Sequence, residues 1–323
     1  MIKIDEDFKN GLLNYKFVDL FSGIGGFHLA LKSFGAKCVF ALDHDKYAQS
    51  VYKDNFKITS NGDITKITPQ NIPKHDILCA GFPCQAFSIS GKQFGFSDTR
   101  GILFFDMLKI IKFHKPKILF LENVKNIEKH DGGNTLLTIK NLLKAEGYNV
   151  FHNILNSGDF MIPQKRERMY FVCFHKSLKT NTNFNFPKPL PKFRVVKDIL
   201  EEDDNFINRD DIKLNGKSCT QKTKNTIRLG IVGKGGQGER IYSINGQAIT
   251  LSAYGGGVGA KTGLYLVNNK IRKLTTRECA RVMGFPDEFR MSNSKSQCYK
   301  QFGNSVVINV LQYILKEIVL YIK

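Results

Sequence analysis

Short apolar runs recur through the first half of the chain, separated by segments whose apolar residues return every third or fourth position. The runs Lys16–Phe21, Cys38–Leu42, Asp76–Ala80, Lys117–Leu121 and Met169–Phe174 predict buried strands. Between them, Phe27–Phe34, Tyr47–Phe56, Gly101–Phe113 and Asn134–Glu146 carry the helical period. In Gly101–Phe113, for example, Leu103, Phe104, Met107, Leu108 and Ile111 fall on one face, and Gly147 is placed to cap the helix before it. Strand and helix patterns that alternate in this way predict an α/β fold: a doubly wound, mostly parallel sheet of the Rossmann-like kind.

The pattern then changes. Phe186–Pro191 is proline-rich and reads as a linker, and the acidic stretch Glu201–Asp211 reads as a surface loop. Gly230–Gly263 holds 11 glycines, too many for a helix and suited to loops that approach a ligand closely. Apolar strand patterns at Ala248–Leu251 and Gly263–Val267 argue against a mere flexible linker. Thr275–Met283 reads as a helix, and Asn304–Ile322 as an apolar helix returning to the first domain. The expected organisation is a first domain over 1–190, a smaller glycine-rich, β-rich domain over 191–275, a hinge and connecting helix over 276–303, and a C-terminal helix over 304–323.

Charge sharpens this picture. The net charge is +19, and Ile212–Arg281 carries 13 Lys/Arg against only Glu239 and Glu278. Such a window suits a polyanion, although a solvated basic face has the same composition. The seven cysteines form no C-x-x-C pair, which disfavours zinc knuckles and a disulfide framework and fits a reducing cytosol. The N-terminus lacks a secretory pattern, and no run approaches the roughly 20 apolar residues of a membrane span.

Two constellations carry chemistry. The turn Ser22-Gly23-Ile24-Gly25-Gly26 follows the first strand, but His28 stands where a dinucleotide fingerprint has its third glycine. Asp43 ends the second strand, 20 residues after Gly23, where it can meet ribose hydroxyls. A nucleoside without a pyrophosphate fits both facts. S-adenosylmethionine is such a ligand, and Asp63 could hold its adenine amino group. A tight turn with a surface aspartate is the structural alternative. The second constellation is Gly81-Phe82-Pro83-Cys84-Gln85 after one apolar run and Glu122-Asn123 after another. A thiol and an acid at the ends of neighbouring strands can meet across one crevice, and the pair suits addition to an electron-poor ring such as cytosine. Cys38, Cys79 and Cys173 lie inside apolar strands and read as core.

The motifs Asp19–Gly26, Gly81–Gln85, Glu122-Asn123-Val124, Gln164-Lys165-Arg166-Glu167-Arg168, Arg277-Glu278-Cys279-Ala280-Arg281 and Gly303-Asn304-Ser305-Val306 stand in one order along nearly the whole chain. In this the chain resembles the DNA cytosine-5 methyltransferases. The resemblance implies catalysis by Cys84, Glu122, Arg166 and Arg168, with no metal. Cys84 adds to C6 of a cytosine flipped out of duplex DNA, Glu122 supplies a proton near N3, and Arg168 engages O2. Arg166 and Arg168, two apart on an extended segment, would face the same side.

The resemblance further implies that S-adenosylmethionine, leaving as S-adenosylhomocysteine, is held by Phe21, Gly23, Ile24, Gly26, Asp43, His44, Asp63, Ile64, Pro83, Leu103, Asn304 and Val306. DNA would be contacted by Ser88, Ser90, Arg100, Gln237, Arg240, Tyr254 and Gly257, with Gln237 filling the vacated space and Arg240 reading a guanine. Lys234 and Lys261 would meet phosphates. The recognition window is similar to that of a family member acting on GCGC, which implies methylation of the inner cytosine. The implied setting is a cytosolic monomer paired with a restriction endonuclease that acts on the same site without a stable complex. The family member it most resembles carries Glu-Trp where this chain has Asp43-His44, which implies weaker donor binding, and 176–225 matches it poorly. A tRNA methyltransferase, a DNA-binding protein without catalysis and a nicotinamide oxidoreductase remain as alternatives, the last poorly served by His28.

Overall fold

The computed structural model describes residues 1–83, 102–178, 184–203, 205–216 and 219–323. The chain forms two compact units, one of residues 3–155, 167–187 and 314–323, the other of 1–2, 156–166 and 188–313. The linker expected at Phe186–Pro191 thus straddles a boundary between Pro187 and Lys188, while 156–166 groups with the later residues.

The first unit begins with a short helix α1 (Glu6–Lys9). It continues through β1 (Lys16–Leu20), α2 (Gly26–Lys32), β2 (Lys37–Leu42), α3 (Lys46–Phe56), β3 (Ile77–Gly81), α4 (Ile102–His114), β4 (Ile118–Val124), α5 (Asn134–Ala145), β5 (Tyr148–Asn156) and β6 (Glu167–His175). The sheet order is β2-β1-β3-β4-β6-β5. β1 pairs in parallel with β2 and β3, and β3 with β4, whereas β4 and β6 are antiparallel. This is the mostly parallel, doubly wound sheet that the alternation predicts.

Each strand side has its own cover, as the period of two requires. On one face Val18, Leu20, Leu78, Ala80, Leu119, Leu121 and Phe171 pack with Phe104, Met107 and Ile111 of α4 and Ile139 and Leu143 of α5. On the other face Phe27 of α2 meets Phe120 edge-on at 5.2 Å, and Tyr321 lies 4.2 Å from Phe174 between ring centroids. Because both faces are covered, the strands read as continuous apolar runs. The chain leaves β1 toward β2 on one side and β3 on the other, so the carboxyl ends of β1 and β3 flank a topological switch point, where open α/β sheets bind ligands.

The second unit holds a five-stranded sheet, β11-β10-β9-β8-β7, built from β7 (Ile212–Leu214), β8 (Arg228–Val232), β9 (Arg240–Ser243), β10 (Leu264–Val267) and β11 (Lys270–Lys273). Its small core is Leu229, Val232, Ile241, Leu264 and Ile271. The strand expected at Ala248–Leu251 is absent. Ala248 forms only a single bridge with Gln164, and side chains of 164–166 hold the rest. Helices α6 (Thr276–Val282), α7 (Lys295–Asn304) and α8 (Ile308–Ile322) follow, α8 contributing 308–313 to this unit and 314–322 to the first. Against expectation, Lys295–Ile322 is long and apolar enough for a membrane span, but 67% of its most apolar window is buried in protein, as for a core helix.

Candidate active site

At the carboxyl end of β1 the backbone turns through left-handed geometry at Phe21 (φ 56°), Gly23 (φ 51°) and Gly25 (φ 90°) before α2 begins. Gly25 is required twice over, since a Cβ there would also strike the Phe56 ring. A Cβ built on Gly23 meets nothing within 4 Å, so the turn is open on that side. Asp43, at the exit of β2, binds the turn: its Oδ2 accepts the Gly23 N–H at 2.7 Å and its Oδ1 the Asp45 N–H at 2.8 Å. The Asp43 N–H bonds to Asn61 O at 2.9 Å and the Asn61 N–H to Ala41 O at 2.8 Å, bringing the segment with Asp63 and Ile64 to the same edge. Hydrogen bonds from the Thr65 N–H and hydroxyl hold the Asp63 carboxyl below its usual range.

An open, backbone-lined turn rimmed by two carboxylates fits a nucleoside with hydroxyl and amino donors. Ile24 and Ile64 are buried, whereas the His44 side chain is 82% exposed beside Asp43, where it can cover a flat ring. Phe21 and Leu103 are half-buried and Pro83 is exposed. Gly26 opens α2. Asn304 and Val306 belong to the second unit, the first exposed and the second buried.

Beneath the turn lies a polar cluster that the sequence reading missed. His28 is buried, stacks on Phe56 at 3.8 Å and shares a 2.7 Å hydrogen bond with the Tyr52 hydroxyl. Burial, helped by nearby Lys32, lowers its pKa to about 3, so the ring is neutral. Asp19 is fully buried under the same helices, with Cys79 Sγ 3.7 Å from its Oδ1, and burial raises its pKa well above the carboxylate range. His28, standing where a dinucleotide fingerprint has its third glycine, is buried against Tyr52 and Phe56 of α3. Cys38, Cys79 and Cys173 are buried as expected.

The second constellation sits where β3 and β4 end. Gly81 pairs with Glu122 in the parallel register, and Val124 with Arg168 across the antiparallel one. This register brings Arg168 Nε to 3.2 Å from Glu122 Oε1, with side chains only 16% and 11% exposed. Asn123 braces the chain leaving β3: its Nδ2 donates to Phe82 O at 2.9 Å, and its own Oδ1 accepts the Val124 N–H at 2.8 Å. Cys84, Ser88, Ser90 and Arg100 lie outside the described residues.

In the second unit two glycine-rich segments cross. The Gly259 N–H donates to Gly238 O at 2.7 Å, and a Cβ on Gly238 would collide with the Gly256 carbonyl. Gly257 takes φ 83° against Gly238 and Glu239. The crossing puts exposed Gln237 and half-buried Arg240 next to the segment of Gly257 and Tyr254, the latter 82% exposed.

Residues 15–320 match the family of C-5 cytosine-specific DNA methylases. The chain belongs to that family. It is 57% identical to the type II methyltransferase M.HhaI of Haemophilus parahaemolyticus, over 97% of this chain and 96% of that protein. It is 45% identical to the type II methyltransferase M.HaeII of Haemophilus aegyptius, over 93% and 91% respectively. The fold is that of the S. pombe Dnmt2 methyltransferase crystal structure, with a TM-score of 0.73, 23% identity and coverage of 95% of this chain and 98% of that one. A putative DNA modification methyltransferase encoded within an E. coli prophage is similar, with a TM-score of 0.71, 22% identity and coverage of 95% and 99%.

Within this DNA methylase Arg166 has partners that its motif does not announce. Arg166 was expected to face the same side as Arg168, but the strand begins at Glu167 and Arg166 stands outside it. Its buried guanidinium donates to Leu251 O at 3.1 Å, Gly303 O at 3.1 Å and Ser305 O at 2.9 Å, all in the second unit. Three carbonyls engage the group that was expected to meet the substrate. Gln164 works beside it, accepting the Leu251 N–H at 2.9 Å and donating to Val282 O at 3.2 Å.

Proposed function

We propose that this DNA methylase transfers a methyl group from S-adenosylmethionine to C5 of the inner cytosine of GCGC, as the modification arm of a restriction–modification pair in the cytosol. The observation that carries the reading is the Glu122–Arg168 pair, held opposite Gly81 at the end of β4, three residues before Cys84 in the chain. The bound donor supplies an electron-poor sulfonium methyl; everything else falls to the protein.

Cytosine C5 is a weak nucleophile until a thiolate adds to C6. Cys84 forms that C6–S bond, and the ring electrons it displaces become available at C5. Glu122 holds a proton toward N3, where charge builds, and Arg168 holds O2 while fixing the carboxyl. After C5 has taken the methyl group, loss of the C5 proton to solvent water or hydroxide expels Cys84 and restores the aromatic ring. The base must first leave the stack, which costs roughly a few kcal/mol. Gln237 occupies the vacated position, and Arg240 reads guanine through O6 and N7. Ser88, Ser90, Arg100, Tyr254 and Gly257 complete the DNA contacts.

For the donor, the turn at Phe21, Gly23, Ile24 and Gly26 holds the amino-acid portion, Asp43 the ribose, and Asp63 and Ile64 the adenine, with His44 stacked on it. Pro83, Leu103, Asn304 and Val306 are assigned to the donor by the family resemblance. The protein acts as a monomer on double-stranded DNA. Support comes from the 57% identity to M.HhaI over 97% of this chain.

Plasmid incubated with the protein and S-adenosylmethionine should resist a nuclease that cuts unmodified GCGC, and bisulfite sequencing should show the inner cytosine protected. Cutting that persists despite methyl incorporation would remove the GCGC assignment, and methyl transfer to tRNA in place of DNA would replace the substrate.

A further inference from the structure

One guanidinium organises two segments that the proposed function assigns to different ligands. Residues 163–166 run alongside 248–251. The Ala248 N–H donates to Pro163 O at 2.8 Å, the Lys165 N–H to Ala248 O at 2.9 Å, and the Thr250 hydroxyl to Lys165 O at 2.7 Å. Gln164 then accepts the N–H of Leu251 and Arg166 donates to its carbonyl, so this residue is held through both of its backbone polar groups. Leu251 leads directly into Ser252, Ala253 and exposed Tyr254. The other two acceptors of Arg166 are the carbonyls of Gly303 and Ser305, which bracket Asn304.

These carbonyls lie where α7 ends, so they lack helical partners, and a cation is favoured there by the helix dipole as well. From Gln301 to Gln312 every residue is buried except Asn304. Gly303 packs so closely on Ser252 and Ala253 that a Cβ would overlap the Ala253 nitrogen. The Asn304 side chain is thus turned outward from a backbone whose two flanking carbonyls are fixed by one group, and that group also fixes the entrance to the Tyr254 segment.

We infer that Arg166 is a positioning residue that fixes the backbone on both sides of Asn304 and registers the Ser252–Gly257 segment against it, so that the donor role proposed for Asn304 and the DNA role proposed for Tyr254 share one support. This rests on the proposed roles of Asn304 and Tyr254. It assigns Arg166 no contact with cytosine. A lysine cannot replace it, because a single ammonium lacks the planar fork that reaches three carbonyls on two segments.

The test uses the full chain, with Arg166→Lys, Asn304→Ala and the double variant, titrated with S-adenosylhomocysteine and with a GCGC duplex. Each single variant should weaken S-adenosylhomocysteine by about ten-fold, and the double variant no further, because Arg166 acts through Asn304. Duplex affinity should fall in Arg166→Lys but not in Asn304→Ala. At saturating donor and DNA, kcat of Arg166→Lys should stay within about three-fold of the parent while both KM values rise, the signature of lost binding rather than lost chemistry. Additive losses, unchanged affinities, or a collapse of kcat at saturation would overturn the inference. Failure of Arg166→Lys to fold, judged by thermal melting, would assign the residue to stability and overturn it equally. If the unaltered chain binds no S-adenosylhomocysteine, the donor reading itself falls; additivity in a chain that binds it removes only the role given to Arg166.

Discussion

Arg168 and Glu122 lie across one antiparallel step, Nε to Oε1 at 3.2 Å, on strands 46 residues apart in their numbering and fixed by the register that pairs Val124 with Arg168. The carboxyl therefore arrives at its place with one oxygen already oriented. Arg168→Lys keeps the charge but loses the rigid fork, so the carboxyl loses its aim. We expect kcat to fall by roughly a hundred-fold in Arg168→Lys and at least as far in Glu122→Gln, the range for a misplaced or absent proton donor. Single-turnover methylation of a GCGC duplex reads this directly. Activity within a few-fold of the parent in Glu122→Gln would remove the carboxyl from the chemistry.

The glycine-rich turn offers a second test. Gly25 has φ 90° and its α-carbon faces the Phe56 ring, so Gly25→Ala meets both backbone strain and a clash. The strain alone costs on the order of 1–3 kcal/mol. A lower melting temperature and at least ten-fold weaker S-adenosylhomocysteine binding should follow. Gly25→Ala combined with Phe56→Ala should recover part of the loss, because only the clash is relieved. No recovery would show that backbone conformation, not the ring, sets the requirement.

His44 is where this chain should be improvable. It is exposed beside Asp43 and offers a small ring for stacking. His44→Trp enlarges that surface, and aromatic stacking gains about 0.5–1.5 kcal/mol. The expected result is a donor KM lowered about three-fold or more with kcat unchanged, measured by varying S-adenosylmethionine at fixed DNA. An unchanged or higher KM would place the adenine elsewhere.

How far the site could be read from the chain follows from which interactions are local. The turn at Gly23–Gly26, the acid at Asp43 and the strand ends at Gly81 and Glu122 announce themselves because glycine, apolar runs and polar strand termini are local signals, and the parallel register then aligns them. Strand β5 is illegible because most of its residues are half-exposed and Asn149, His152 and Asn153 interrupt any apolar run. The partners of Arg166 are illegible in the sequence for a different reason. Its acceptors lie 85, 137 and 139 residues away, and no spacing within Gln164–Arg168 distinguishes a residue that ends one segment from one that enters a strand. His28 could have been suspected, since a histidine between Phe27 and Leu29 in a short amphipathic helix has one turn in which to reach solvent, and here it turns inward.

That inward histidine predicts an acid-sensitive fold. The pKa of His28 is lowered by burial to about 3, below its ordinary value of 6.5, and burial lowers that of His75 likewise to about 4. For a base whose folded pKa is depressed, the unfolded chain takes up the proton first. Stability from these residues is therefore complete above about pH 6.5 and lost progressively as pH falls toward 4 and 3. Each would contribute a slope of up to about 1.4 kcal/mol per pH unit in its window. His28→Phe keeps the stack on Phe56 and removes the titration, so its unfolding free energy, lower at pH 7.5 because Tyr52 loses a partner, should fall less steeply between pH 6 and pH 4.5. Urea titrations at several pH values measure this, and equal slopes in both proteins would exclude His28 as the source.

The second unit has its own buried charge. Arg272, 1% exposed, makes two hydrogen bonds of 2.8 and 2.7 Å to the carboxyl of Glu278, which is fully buried, and Glu278 also accepts the N–H groups of Thr275 and Glu201 at 2.9 Å each. One carboxylate thus joins the end of β11 to the first turn of α6 and to the loop at Glu201. Glu278→Ala would leave a buried guanidinium without its counter-charge, and breaking such a pair costs about 3–5 kcal/mol. Glu278→Gln retains the shape and part of the bonding and should cost less. If the two units unfold separately, the loss will appear only in the transition of the second, and DNA affinity will fall with it while S-adenosylhomocysteine binding through the Gly23 turn holds to lower denaturant. Hydrogen exchange resolved by segment checks this. Protection lost equally from β1–β4 and β8–β11 would show that the carboxylate supports the whole chain rather than the five-stranded sheet.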